Sequence, residues 1–265
     1  MRIPVALTIA GSDSGGGAGI QADIKAMQAN GVYATSVLTA ITAQNTVAVT
    51  DAMNLPVSII ESQIDAVLSD IRIDAAKTGM LSSSDIIRAV AAKIQEHEIR
   101  PLVVDPVMIS KSGYSLLEDD AVQALIDEML PLATVCTPNA HEAARLVGYE
   151  ILSESAARAA AKDIFEMGPA AVLVKGGHLD EEEDAVDVLY DGTQFHIFRS
   201  ERIDTPHTHG TGCTYAATIA ANMAKGQDVQ KAVENAKSYV TEAIRAGLPI
   251  GRGHGPTDHF FFLRG

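Results

Sequence analysis

The stretch DTPHTHGTGCTYAATIAANMAKG, Asp204 to Gly226, runs a glycine-bracketed turn into an alanine-rich helix. Gly210 and Gly212 permit tight backbone geometry, and the free N–H groups of the helix start, around Thr211, point outward. Such a turn can hold an anion, helped by the helix dipole. Cys213 is one of only two cysteines and stands at that start. Its thiol pKa is expected below the usual value of about 8.5. A thiol there could be a base, a nucleophile or a passive small residue, and the turn itself could be an ordinary small-residue helix start.

Other segments carry chemistry of the same kind. GSDSGGGAG, Gly11 to Gly19, accommodates no G-x-G-x-x-G, and the chain has no G-x-x-x-x-G-K-[ST]. The loop reads as a permissive turn or as backbone that approaches a ligand closely. PNAHE puts Asn139 and Glu142 on one face of a helix's first turn. An amide oxygen and a carboxylate there suit a hydrated Mg²⁺, and they fit a capping box equally well. KGGH, Lys175 to His178, ends a strand with a cation, which suits a phosphate or a surface turn. Asp105 ends the strand PLVVDP, where a carboxylate is costly unless it binds metal, a donor or a base.

The elements that must position these residues alternate along the chain. Strands are expected at Val5 to Ala10, Val32 to Ala40, IDAAKT, PLVVDP, TVCTP and AAVLVK, with helical periodicity between them. A hairpin around Asp191-Gly192 is the one antiparallel signal. VMISKSGYSLLEDD has no period and reads as a loop. Two helices follow, Gly210 to Lys225 and Val229 to Ala246. This order implies an α/β fold, a doubly wound, mostly parallel sheet with helices on both faces, in a single domain over residues 1–265. Ligands of such sheets bind at the carboxyl ends of the strands.

Composition agrees with that architecture and narrows the partners. Of 265 residues 47% are hydrophobic, yet only 5% are aromatic and none is Trp, as in an aliphatic sheet core. A formal net charge of -14 argues against nucleic-acid and anionic-membrane surfaces. It leaves room for a small anion in a local pocket. Two distant cysteines without CxxC do not make a disulfide framework, so a cytoplasmic location is expected. MRIPVALTIAGS reads as a first strand rather than a leader, and no run reaches transmembrane length.

Seven segments, GSDSGGGAGIQADIK, TAITAQNT, VVDPVM, PNAHEA, VKGGH, THGTGCT and GHGPTDH, occur in this order over nearly the whole chain. With them the sequence resembles the hydroxymethylpyrimidine/phosphomethylpyrimidine kinases of thiamine biosynthesis, in the ribokinase-like superfamily. The resemblance implies a ribokinase-like three-layer sandwich with ATP and Mg²⁺ as cofactors. It implies phosphorylation of 4-amino-5-hydroxymethyl-2-methylpyrimidine, and then of the monophosphate to the pyrophosphate.

The resemblance also assigns roles. Gln44 would hold the pyrimidine, since an amide offers donor and acceptor side by side. Asp23 would accept a bond from the amino or hydroxymethyl group, and Gly11, Met80 and Val107 would border the ring. Gly210, Thr211, Gly212 and Cys213 would form the anion hole. Lys175, with His209, would meet ATP phosphate, and Asn139, Glu142 and Asp105 would serve Mg²⁺ through water. ISKSGYSLL would be a lid, and a homodimer is expected. His207 and Tyr114 depart from the pattern.

Sugar kinases of the superfamily carry aspartate at the position of Cys213. A carboxylate about 4 Å from a phosphate dianion would cost on the order of 4 kcal/mol per charge pair. A thiol could be thiolate in the first reaction and neutral in the second. Three other readings stay open: a pyridoxal kinase of the same fold, a cysteine hydrolase pairing Cys213 with His209, and a non-catalytic pyrimidine sensor.

Overall fold

Alternating side chains along short, apolar strands divide between two helical layers. Leu7, Ile9, Leu102 and Val104 face one layer, and Ala6, Val103, Val135 and Leu173 face the other. The structure, a computed structural model, describes residues 2–109, 113–114, 116–118, 120–177, 179 and 183–264.

The chain runs β1 (Val5–Asp13), α1 (Gly19–Ala29), β2 (Tyr33–Gln44), β3 (Val49–Asn54), α2 (Val57–Leu68), β4 (Ala75–Thr78), α3 (Ser84–Glu96) and β5 (Leu102–Val104). It continues through α4 (Ala121–Ala124), which runs on as a π turn and a 3₁₀ turn to Leu132, then β6 (Val135–Cys136), α5 (Ala140–Val147), α6 (Glu154–Phe165) and β7 (Val172–Val174). The hairpin β8 (Ala185–Tyr190) and β9 (Phe195–Ser200) precedes α7 (Thr211–Ala224) and α8 (Val229–Arg245). One nine-stranded sheet has the order β3-β2-β1-β4-β5-β6-β7-β8-β9.

The pairs from β2 to β7 are parallel, as the alternation predicts. Both ends of the sheet are antiparallel. The hairpin accounts for β8 and β9. At the other end β3 pairs with β2, an addition to the expected topology. Its sequence VTDAMN is exposed at four of six positions and lacks the apolar alternation that marks a strand. β1 also runs past the predicted end, with a bulge between Ala10 and Ser12 that turns Gly11 toward the cleft.

The chain leaves β1 toward β2 and β3, then returns to lay β4 on the opposite side of β1. That reversal opens a crevice above the carboxyl ends of β1 and β4. Helix α7 lies over it, and its Ala216, Ala217, Ala220 and Ala221 are all fully buried, so small side chains let it sit close to the sheet.

Candidate active site

A cleft of ≈ 420 Å³ occupies this crevice. The ends of β1, β4, β5, β6 and β7 and the start of α7 all reach it. Gly11, Gln44, Met80 and Val107 line one part, and Asp105, Asn139, Glu142 and Lys175 another, with Thr208 to Cys213 between. Sequence reasoning therefore gathered residues that the fold brings together. Four of the nine residues of the lid segment, 110–112 and 115, lie outside those described. His178 also lies outside them.

The start of α7 is built for close backbone approach. Gly210 caps it in a left-handed conformation with φ 78, and a Cβ there would collide with the Gly17 carbonyl oxygen. The helix has no side-chain cap; Thr211 N–H donates back to the Thr208 carbonyl, and the next two residues, Gly212 and Cys213, line the cleft. A Cβ on Gly212 would lie 3.4 Å from Lys175 Nζ and 3.9 Å from Asp105 Oδ2, so glycine keeps that space clear.

Cys213 is partly exposed to the cleft. Its surroundings are nevertheless dense, and burial pushes the thiol up to about 11, with Asp23 and Asp105 adding to the rise and Lys77 opposing it. The lowered pKa expected at a helix start is thereby corrected, because desolvation and carboxylates outweigh the dipole.

Asp23 does not reach the cleft wall. It is fully buried beneath the floor, where both carboxylate oxygens accept from Lys77 Nζ at 3.1 and 2.9 Å and one also accepts from Thr8. Its expected contact with substrate is thus corrected to an ion pair joining α1 to β4. Lys77 lines the cleft instead. Burial favours its neutral form, but Asp23, with Asp105 behind it, holds it protonated. The signal missed in the sequence was a lysine in the otherwise apolar strand segment IDAAKT.

His209 stands with Gln44 and the glycine-rich loop rather than with Lys175. Its Nε2 is 2.8 Å from Asp13 Oδ2 and 3.4 Å from the Gln44 amide. His207 lines neither cleft and packs against Gly247 and Gly255.

On the other side, Lys175 Nζ donates to Asp105 Oδ1 at 2.8 Å, and Thr137 donates to the same oxygen. Burial would strip the Lys175 charge, but Asp105 and Glu142 keep it protonated. Asn139 and Glu142 form the capping box: Glu142 N–H donates to Asn139 Oδ1 at 2.9 Å, and Asn139 N–H donates to Glu142 Oε2 at 2.7 Å. The pair also lines the cleft, so forming the cap does not remove it from the site. Burial pushes the Glu142 carboxyl up to about 7, while Lys175 pulls it down. Among the described residues the one compact metal-ligand cluster is Asp65, Glu96 and His97 on the far surface, where Lys93 already bridges both carboxylates.

A second cleft of ≈ 320 Å³ adjoins the first and was not foreseen from the sequence. It lies between β8, β9, α7 and α8, and Asn139, Lys175, Thr208, Thr211 and Gly212 line both. Beneath it Asp187 accepts from Tyr215 and Lys237, each at 2.9 Å, and from the Gly176 N–H at 2.8 Å. Asp187 so fixes the turn that follows Lys175.

Two adjoining clefts with a cation and a helix start at their junction, on this sheet, define an α/β kinase of the ribokinase-like fold. A Bacillus subtilis pyridoxal kinase solved with ADP has the same fold, with a TM-score of 0.93, 41% identity and full coverage of both chains. A phosphomethylpyrimidine kinase structure from Clostridium difficile matches at a TM-score of 0.82 and 45% identity, over 92% of this chain and 100% of that one. The model of the phosphomethylpyrimidine kinase family matches residues 13–258, and the chain belongs to that family.

Among curated relatives, the hydroxymethylpyrimidine/phosphomethylpyrimidine kinase of Streptomyces coelicolor is 50% identical over 98% of this chain and 96% of its own length. The thiamine biosynthesis bifunctional protein ThiED of Geobacter sulfurreducens is 51% identical over 96% of this chain. The chain spans about half the length of ThiED, 51%.

Proposed function

We propose that the chain phosphorylates 4-amino-5-hydroxymethyl-2-methylpyrimidine with ATP, and then phosphorylates the monophosphate to the pyrophosphate, in thiamine biosynthesis. The observation that carries this reading is the meeting of two clefts at Gly212 and Lys175. One cleft ends at Gln44, which suits an aminopyrimidine edge, and the other is free for a nucleotide.

In each step an acceptor oxygen bonds to the γ-phosphorus and the bond from that phosphorus to the β–γ bridging oxygen breaks, releasing ADP. The outward amides of the α7 start receive the transferring phosphoryl group, and Lys175 offsets its charge. The first step loses the hydroxymethyl proton, which passes to solvent or to the newly formed phosphate ester, since the neutral Cys213 thiol does not take it. The second uses a phosphate oxygen that has no proton to lose. Cys213, neutral at pH 7, supplies a small uncharged wall compatible with both acceptors. The thiolate expected for the first step gives way to this reading, because the thiol is pushed up to about 11.

The residues fit Mg²⁺. Glu142 and Asp105 are buried hard-oxygen donors, and Glu142 is pushed up to about 7 by burial and by Asp105, with Lys175 as the cation opposing this. Asn139 and Glu142 have committed their inner contacts to the cap, so they would hold the ion through water. When bound, it would neutralise charge on the phosphate oxygens.

A pyridoxal kinase activity is the second reading, favoured by the TM-score of 0.93 to the Bacillus subtilis pyridoxal kinase. Covalent capture of an aldehyde needs a thiolate, which Cys213 does not supply at neutral pH. A side activity on pyridoxal is compatible with the cleft. Two free thiols, Cys136 and Cys213, suit a reducing cytoplasm. For a homodimer, the supporting feature is the pair Ile41 and Met53, cross-strand partners on the β2–β3 ribbon that are both exposed.

The test is ³¹P NMR of purified protein with MgATP and the hydroxymethylpyrimidine. A monophosphate signal that gives way to a pyrophosphate pair is expected. Persistent monophosphate would remove the second step from the proposal, and turnover of pyridoxal alone would replace the reading.

A further inference from the structure

A hydrogen-bond network around Gln44 lies outside the transfer chemistry and determines which way its amide points. Asp13 is 3% exposed, and its Oδ1 accepts from Gly15 N–H at 2.7 Å. Its Oδ2 accepts from Gly17 and Ala18 N–H at 3.0 and 2.8 Å. Burial works against its charge, but His209 and these amides hold the carboxyl below its ordinary range. An ionised carboxylate only accepts, so His209 Nε2, 2.8 Å from Oδ2, carries a proton.

As placed, the Gln44 side chain sets Nε2 3.4 Å from that nitrogen and Oε1 3.2 Å from Thr42 Oγ1. The single Thr42 hydroxyl proton goes to the Ser12 carbonyl at 2.8 Å. Amide orientation is settled by such neighbours. Turning the amide over sets its NH₂ beside the Thr42 oxygen lone pair and its oxygen beside the His209 N–H, which is then shared between Asp13 Oδ2 and Gln44. The reverse sets donor against donor at His209 and acceptor against acceptor at Thr42. The Ser14 hydroxyl fixes the backbone of the same residue, bonding Gln44 N and O at 2.8 Å each.

We propose that Asp13, His209 and Thr42 are positioning residues that lock the Gln44 amide in one orientation, so that the cleft selects a ring presenting an exocyclic N–H beside a ring-nitrogen acceptor in one order. This rests on Gln44 contacting the acceptor, as proposed above. One amide N–H and one oxygen lone pair remain for the ring. A ring lacking the exocyclic donor leaves one lone pair of that oxygen without its ring partner, at a side chain that is only partly buried, so the loss is a moderate one.

The experiment compares kcat/KM for the 4-aminopyrimidine and for the analogue with hydrogen in place of the amino group. Calorimetric Kd replaces kinetics for any variant too slow to assay. The unaltered protein should prefer the amino compound roughly 30-fold. Thr42→Val and His209→Leu should each cut the preference to about threefold, through KM with kcat within about twofold. His209→Gln, which returns an N–H near the Nε2 position, should recover most of it.

If Gln44→Ala retains the full preference, the underlying reading of the acceptor site fails. If Gln44→Ala abolishes the preference while Thr42→Val and His209→Leu keep it, or lose only kcat, the positioning inference is overturned. Should His209→Leu fail to fold by circular dichroism, the nearly isosteric Thr42→Val decides alone.

Discussion

A helix start favours a thiolate only where water or cations reach the sulfur. At Cys213 burial dominates, and Lys77 is largely committed to Asp23. Alkylation by iodoacetamide should therefore be slow at pH 7, where roughly one molecule in ten thousand is thiolate. The rate should keep rising toward pH 11, and a plateau below pH 9 would show a conventional activated cysteine and restore the acid–base role. The position of Cys213 on its helix was legible from HGTGCT, because glycines and small residues announce a tight helix start. The groups that set its chemistry were not. Asp23 and Lys77 stand 54 positions apart in the chain and meet only once it has folded. Asp13 could have been read from the carboxylate set among glycines in SDSGGG, where loop amides need an acceptor.

Helices and strands carry their own version of this limit. Helical spacing of Ile20, Ile24 and Met27 located α1, and that of Ile60, Ile64 and Val67 located α2, whereas β3 offered no apolar alternation and was found only by its pairing with β2. The Asn139–Glu142 spacing was ambiguous for a physical reason: capping and ion holding need the same two oxygens. The tie between α1 and β4 tests how much of this architecture depends on buried charge. Removing one partner leaves the other uncompensated, at a cost of roughly 3–5 kcal/mol, whereas an apolar pair of similar volume is often neutral. Lys77→Met should lower the urea midpoint strongly, and adding Asp23→Leu should restore most of it. A double variant as unstable as the single one would mean that the pair contributes net stability to the helix–strand contact.

For the molecule as a whole, a charge of -14 surrounds a cleft that holds Lys77 and Lys175. The composition reported the exterior faithfully and said nothing of two cations kept inside. One end of the sheet, the β2–β3 ribbon, carries Ile41 and Met53, which are 44% and 60% exposed. Sedimentation should find about twice the 27.9 kDa chain mass, and Met53→Lys should shift the population toward monomer. A dimer unmoved by that change would use another face. The shared wall of the two clefts also bears on traffic. Asn139, Lys175, Thr208, Thr211 and Gly212 line both, so with the nucleotide in the second cleft, as proposed, ADP would be exchanged for ATP while the acceptor side stays occupied. Catalysis should then be processive. In a chase with excess unlabelled monophosphate, carbon label that enters as the alcohol should emerge in the pyrophosphate nearly undiluted. Full dilution would mean that the intermediate leaves and rebinds between turnovers.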